Sequence, residues 1–216
     1  RLNYNIKIAP WLDEGISQQA MDETLIGYYP GADMITIPHF DANGRFVGLR
    51  GRALAQDDVE RFGKYRPIKI MQQMYNHPLG FALYNLNFSK ENIKTMQKAI
   101  VFEGEKSCLK YASLFGIDND ISVAVCGSSL INYQVDLLLS LGAKEIIVAF
   151  DKQFKQIGDD EWKKWTSKLK DMHKKYSPKC QISFMFDKNG DLDYKSSPID
   201  HGAETFMKLF QERIIL

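Results

Sequence analysis

The chain has 216 residues, 44% of them hydrophobic and 25% charged, and a formal net charge of +1. That composition describes an ordinary globular protein with one sizeable core or two small ones, and its near-neutral charge argues against a protein that coats nucleic acid wholesale. The longest apolar stretches fall well short of the roughly 20 residues needed to span a bilayer, and no basic, apolar, small-residue leader opens the chain. The expectation is a cytoplasmic protein with no membrane partner. The chain starts at Arg1 rather than at a methionine, which suggests a segment of a longer polypeptide.

The amino-terminal part reads as short alternating runs. Met34 to Ile37 and Arg45 to Leu49 flank the turn formers Asp41-Ala42-Asn43-Gly44, predicting a strand, a tight turn and a strand. From Arg45 to Lys69 seven basic residues stand against three acidic ones, and upstream of Arg45 the balance is reversed. Near residue 97 the texture changes. Apolar runs at Ala99 to Phe102, Ile121 to Cys126, Ile146 to Phe150 and Ile182 to Phe186 now alternate with helical segments, the βαβ pattern of a parallel sheet. Trp162, Trp165, Leu169 and Met172 recur at spacings of three and four, so Asp160 to Tyr176 is predicted as an amphipathic helix capped by Asp159 or Asp160. Ala203 to Arg213 is predicted as a closing amphipathic segment. Two domains are expected, a basic α+β unit over 1–97 and an α/β unit over 98–216.

Cysteines and histidines point away from zinc. Cys108, Cys126 and Cys180 are odd in number and widely spaced, and read as buried or half-buried thiols. His39, His77, His173 and His201 have no spacing that sets two on one helical face.

Three apolar runs end in a carboxylate: Glu103, Asp151 and Asp187. The carboxyl ends of parallel strands share one edge of the sheet, so these acids can converge. Clustered carboxylates repel one another unless a cation sits among them, and hard oxygen ligands suit Mg²⁺. The other reading is that polar residues often follow strands simply as loop starts or helix caps.

The segment Val101-Phe102-Glu103-Gly104-Glu105-Lys106-Ser107 resembles the Toprim signature, in which an apolar strand delivers a glutamate followed by glycine. Val123 to Leu130, with Gly127-Ser128, resembles the second strand and its turn, and Ile146 to Gln153 the third strand with its aspartate motif. Upstream, Ile37 to Asp41 followed by Gly44 to Leu54, then Lys64-Tyr65, then Asn76 to Leu86, are similar to the amino-terminal subdomain of DnaG-type bacterial and phage primases. The resemblance implies a Toprim-type α/β domain with a parallel βαβ sheet, preceded by a smaller α+β subdomain. It implies a nucleotidyltransferase that makes short RNA primers on single-stranded DNA from ribonucleoside triphosphates. Glu103 and Asp151 would be catalytic, and Asp151, Asp187, Glu103 and Gln153 would surround Mg²⁺ or Mn²⁺. Arg45, Arg50, Arg52, Lys64 and Tyr65 would hold template or nucleotide, and a replicative helicase is a candidate partner.

Two positions depart from the family pattern. The third-strand motif is Asp151-Lys152-Gln153, with an amide where the family has a second aspartate, and Ser107 stands where a further acid is usual. Metal affinity should fall, or Asp191, Asp193 or Asp200 must help. The pattern looks more like primases of phages and mobile elements than the housekeeping enzyme. Alternative readings are a Toprim nuclease or nicking enzyme, which gives no reason for the arginine-rich subdomain, and a non-catalytic single-stranded DNA-binding module.

Overall fold

The computed structural model describes residues 2–215, with side chains from residue 8 onward; Arg1 and Leu216 lie outside the described residues. Helices α1 (Leu2–Asp13) and α2 (Gln18–Glu23) open the chain, α2 capped by Ser17, whose hydroxyl accepts from the Ala20 amide. Strands β1 (Gly27–Tyr29), β2 (Met34–Phe40), β3 (Phe46–Ala53) and, after helix α3 (Gln56–Phe62), β4 (Tyr65–Pro67) form an antiparallel sheet in that order. The expected strand-turn-strand is β2 and β3, with Gly44 at φ +80° in the turn, a conformation that favours glycine. Two glycines of β3 are needed for packing. A Cβ on Gly48 would lie 2.3 Å from His77 Nδ1, and one on Gly51 would lie 2.8 Å from both Ile68 and Met34. A small hairpin of β5 (Lys69–Ile70) and β6 (Gln73–Met74) follows, then helix α4 (Leu86–Met96).

The second half contains β7 (Lys98–Phe102), α5 (Glu105–Phe115), β8 (Ser122–Ala124), α6 (Asn132–Ser140), β9 (Glu145–Val148), α7 (Asp160–Tyr176), β10 (Gln181–Phe184), α8 (Gly202–Gln211) and β11 (Ile214–Ile215). Its sheet runs β11-β10-β9-β7-β8; β10, β9, β7 and β8 are parallel, and β11 adds an antiparallel edge absent from the sequence reading. Residues of β7, β8 and β9 are buried on both faces, as near-continuous apolar runs require. Helix α7 has the expected bounds, with Asp159 accepting from the Trp162 amide and Trp165, Leu169, Met172 and Tyr176 buried.

The chemical break near residue 97 falls at the start of β7, yet the packing unit of the parallel sheet begins earlier. Tyr84 pairs with Ala124 beside β8, and Asn85 Nδ2 donates to Asp120 Oδ2 at 2.7 Å and to the Ser122 carbonyl at 2.9 Å, fastening α4 to that sheet. One apolar core runs from Ile8 and Trp11 through Ile35 and Ile37 to β7, β9 and Phe206 of α8, so the two halves share an interior. Among the described residues no helix is long and apolar enough to cross a membrane.

Candidate active site

A cleft of about 370 Å³ opens where the carboxyl edge of the parallel sheet meets the antiparallel subdomain. Glu103 and Asp151 enter it just beyond β7 and β9, Arg50 from β3, and Lys64 and Tyr65 from the start of β4. Asp200, in the loop before α8, completes a group of three acids, and Gly104 to Ser107 bring the amino-terminal turn of α5 to the wall. Lys106 and Lys195 also line it.

The acids raise one another's proton affinity. Burial, then the Asp151 charge, pushes Glu103 up to about 7. Burial, then the Asp200 charge, pushes Asp151 up to about 6. Asp200 is shifted down: burial opposes the shift, but nearby Lys106, the Ser197 amide donating at 2.9 Å and Lys110 donating at 3.0 Å prevail. Burial and the charges of Arg52 and Lys106 lower the pKa of Lys64, an ammonium that an incoming anion would relieve.

Gln153 does not line this cleft but reaches it through Glu103, its Nε2 donating to Glu103 Oε1 at 3.3 Å while its Oε1 accepts from Lys195. Ser107 is buried and donates to the Ser197 hydroxyl at 3.0 Å.

Asp187 is not brought to this cleft. Its carboxylate accepts from Lys152 Nζ at 2.8 Å and from the amides of Asn189, Gly190, Asp191 and Leu192 at 2.8–3.2 Å, and its side chain is buried. The expected metal ligand is thus committed to closing a turn and neutralising a buried lysine, leaving Asp200 as the third acid. Arg45 is also elsewhere, at the hairpin end, 77% exposed and 3.5 Å from Asp41. Arg52 does not line the cleft; its Nη1 donates to the Ala53 carbonyl at 2.8 Å, and its charge is felt by Lys64 and Tyr65.

Arg50 does line the cleft, but its guanidinium is engaged: Nη1 donates to Glu105 Oε1 at 2.7 Å, and His39 Nε2 is 3.2 Å from the same oxygen. Burial would raise the Glu105 pKa, yet His39 and Arg50 outweigh it and hold the acid at about 2. Cys126 brings its sulfur within 4.8 Å of the His39 and Glu105 ligand atoms. Since Arg50 already supplies the cation at Glu105, this trio is an ion-pair centre joining the two halves rather than a place for a second positive ion. The sequence reading missed Glu105, Lys106 and Lys195. Their only linear signals were membership of the Glu103-to-Ser107 segment and proximity to Asp193.

A parallel sheet with an acid-bearing carboxyl edge, preceded by an antiparallel subdomain that closes over that edge, is the fold of the DnaG-type primase catalytic core. No family model matches the chain. It is 38% identical over 213 residues to the SPbeta prophage-derived uncharacterized protein YorJ of Bacillus subtilis strain 168, the match covering 94% of this chain and 56% of that protein. The zinc-binding and RNA polymerase domains of the Aquifex aeolicus primase match it with a TM-score of 0.68 at 21% identity, over 96% of this chain and 56% of that one. A DnaG primase catalytic domain bound to single-stranded DNA matches with a TM-score of 0.69 at 18% identity, over 97% and 74%. The chain therefore spans little more than half the length of the curated relative.

Proposed function

We propose that the chain is the catalytic core of a DNA primase, joining ribonucleoside triphosphates into short RNA primers on a single-stranded DNA template in the cytoplasm. The observation that carries this reading is the single cleft in which Glu103, Asp151 and Asp200 face Lys64 and Tyr65 of the other subdomain. Support comes also from the similar DnaG domain bound to single-stranded DNA and from the prophage relative, which fits a mobile-element replication protein.

The donor set fits a divalent ion. It offers hard carboxylate oxygens, and the raised pKa values of Glu103 and Asp151 record burial and then like-charge repulsion, both of which a cation would relieve. Glu103, Asp151 and Asp200 would hold Mg²⁺ or Mn²⁺, which would shield the triphosphate and neutralise charge as phosphoryl transfer proceeds. The protein's own groups do the rest. Glu103 receives the proton of the attacking 3′-hydroxyl, and Lys64 and Lys106 face the triphosphate. The α5 amino terminus adds backbone amides, and Tyr65 gives a ring edge against a base. A replicative helicase is the partner such a core would serve.

A DNA-binding module that does not polymerise is the second reading, favoured by the neutral Gln153 and the Ser107–Ser197 pair where further acids would strengthen the site. Incubating the chain with single-stranded template, labelled ribonucleotides and Mg²⁺ or Mn²⁺ separates the two. Primers that vanish in Asp151→Asn support polymerisation. Template binding without product, under both metals, overturns it.

A further inference from the structure

The cations near the active site differ in how they are partnered. Arg50, Arg66 and Lys152 are each held by an internal carboxylate, at 2.7, 2.7 and 2.8 Å. Beside the acid cleft a second cleft of about 340 Å³ opens, and its three lysines, Lys164, Lys168 and Lys195, form no salt bridge among the described residues. The two clefts share Glu103 and Lys195.

Neutral acceptors hold two of these ammonium groups in place. Lys168 Nζ donates to the Ser128 carbonyl and lies 5.3 Å from the Trp165 ring. Lys195 Nζ donates to Gln153 Oε1 and lies 5.1 Å from the Tyr194 ring. The Lys195 backbone is itself tied to the segment that follows β9, its amide donating to the Lys152 carbonyl at 2.9 Å and the Lys152 amide to the Ser196 carbonyl at 3.0 Å. An ammonium has three donors, so each keeps hydrogen bonds for a ligand. Tyr194, 39% exposed, offers a ring to a base. Two acids also line the cleft, Glu103 at the junction and Glu161, whose carboxylate accepts from the Tyr194 hydroxyl at 3.1 Å, so three lysines leave it net positive. Cations gathered on one cleft match the concentrated charge of a triphosphate rather than the spaced charges of a strand.

We infer that this second cleft binds the initiating nucleoside triphosphate, its phosphates on Lys164, Lys168 and Lys195 and its 3′-hydroxyl directed to Glu103 at the junction of the clefts. The role, though not the binding, rests on the primase reading. The 3′-oxygen forms a bond to the α-phosphorus of the nucleotide in the acid cleft. The bond from that phosphorus to the β-phosphate oxygen breaks, pyrophosphate leaves, and the hydroxyl proton passes to Glu103.

ATP binding measured in EDTA tests the site, because the lysine cleft needs no divalent ion. One ATP per chain is expected, weakened about tenfold or more in the double variant Lys164→Gln/Lys168→Gln and regained in Lys164→Arg/Lys168→Arg. The arginine pair separates lost charge from lost fold, and melting of each variant checks the latter. A further ATP bound only with Mg²⁺, and lost in Asp151→Asn, reports separately on the acid cleft and so on the primase reading. No binding in EDTA, or binding indifferent to the glutamines, overturns the inference. So does a double variant that loses affinity for a short single-stranded oligonucleotide while keeping that for ATP, which would make the cleft part of a strand track.

Discussion

Gln153 Nε2 donates to Glu103 Oε1 across 3.3 Å, and the oxygen of the same amide accepts from Lys195. Carboxylate, amide and ammonium thus form a chain along the ridge between the two clefts. The amide lets Glu103 sit beside position 153 without like-charge repulsion, at the expense of a strong oxygen ligand.

Gln153→Asp should tighten Mg²⁺ binding by about tenfold, since a carboxylate adds charge and a hard ligand while Lys195 offsets part of the new repulsion. The unsubstituted chain should accordingly favour Mn²⁺, which binds mixed nitrogen and oxygen sites more strongly. Calorimetric titration with each ion reads both. Unchanged affinity would place Gln153 outside the coordination shell, with Asp200 already completing it.

Asp187 should prove a stability residue. Asp187→Asn keeps an oxygen for the turn amides but leaves Lys152 Nζ buried with only the Leu192 carbonyl, at 2.8 Å. Breaking a buried pair from one side costs about 3–5 kcal/mol, which for a chain of this size lowers the melting temperature by roughly 6–20 °C. Thermal melting should show that loss while Mg²⁺ affinity of the folded protein stays within about twofold; a large loss of affinity without loss of stability would return Asp187 to the metal site.

The difference between Asp187 and Asp151 marks how far the sequence could be read. Strand-end position was legible for both, because apolar runs ending in an acid carry that information locally. Which acid faces the cleft depends on Lys152 turning inward and on the loop from 188 to 200 folding back to bring in Asp200, and neither leaves a periodic trace. The same holds for Arg50. The arginine cluster was visible, but its partner Glu105 lies 55 residues downstream, in a position that looked like part of a signature. The parallel sheet and α7 were legible because burial on both faces, and an apolar stripe at helical spacing, are written along the chain itself.

Arg50 should therefore matter for the joint between the halves rather than for template charge. Glu105 is held at about 2, below its ordinary 4.5, so the stability it contributes is present above about pH 4.5 and is lost as pH falls toward 2. Arg50→Gln should destabilise the protein by about 2–4 kcal/mol at neutral pH and start the acid transition at higher pH. The salt dependence of single-stranded DNA binding should not change in that variant, because the guanidinium stays on Glu105 instead of neutralising a template phosphate. Melting curves across pH, with binding titrations in rising salt, distinguish these outcomes; a flattened slope in Arg50→Gln would mean that the guanidinium leaves Glu105 for the template.

Glu103 and Asp151 respond to pH in the opposite sense. Their pKa values, about 7 and about 6, lie above the ordinary 4.5 and 3.8, so the folded state holds protons that the unfolded chain has released. Stability from this pair is greatest at low pH and falls as pH rises through 6 and 7, where both acids ionise against each other. Removing one charge should recover part of it. Glu103→Gln is expected to melt higher than the unsubstituted chain in EDTA at about pH 8, by on the order of 1–2 kcal/mol after solvent screening, and to lose that advantage at about pH 5. A divalent ion must displace the same protons, so millimolar Mg²⁺ should raise the melting temperature of the unsubstituted chain markedly at about pH 8 and little at about pH 5, and Glu103→Gln should blunt the effect. Melting at the two pH values, with Mg²⁺ and with EDTA, decides it. Equal stabilisation by Mg²⁺ at both would mean that the ion binds away from these acids.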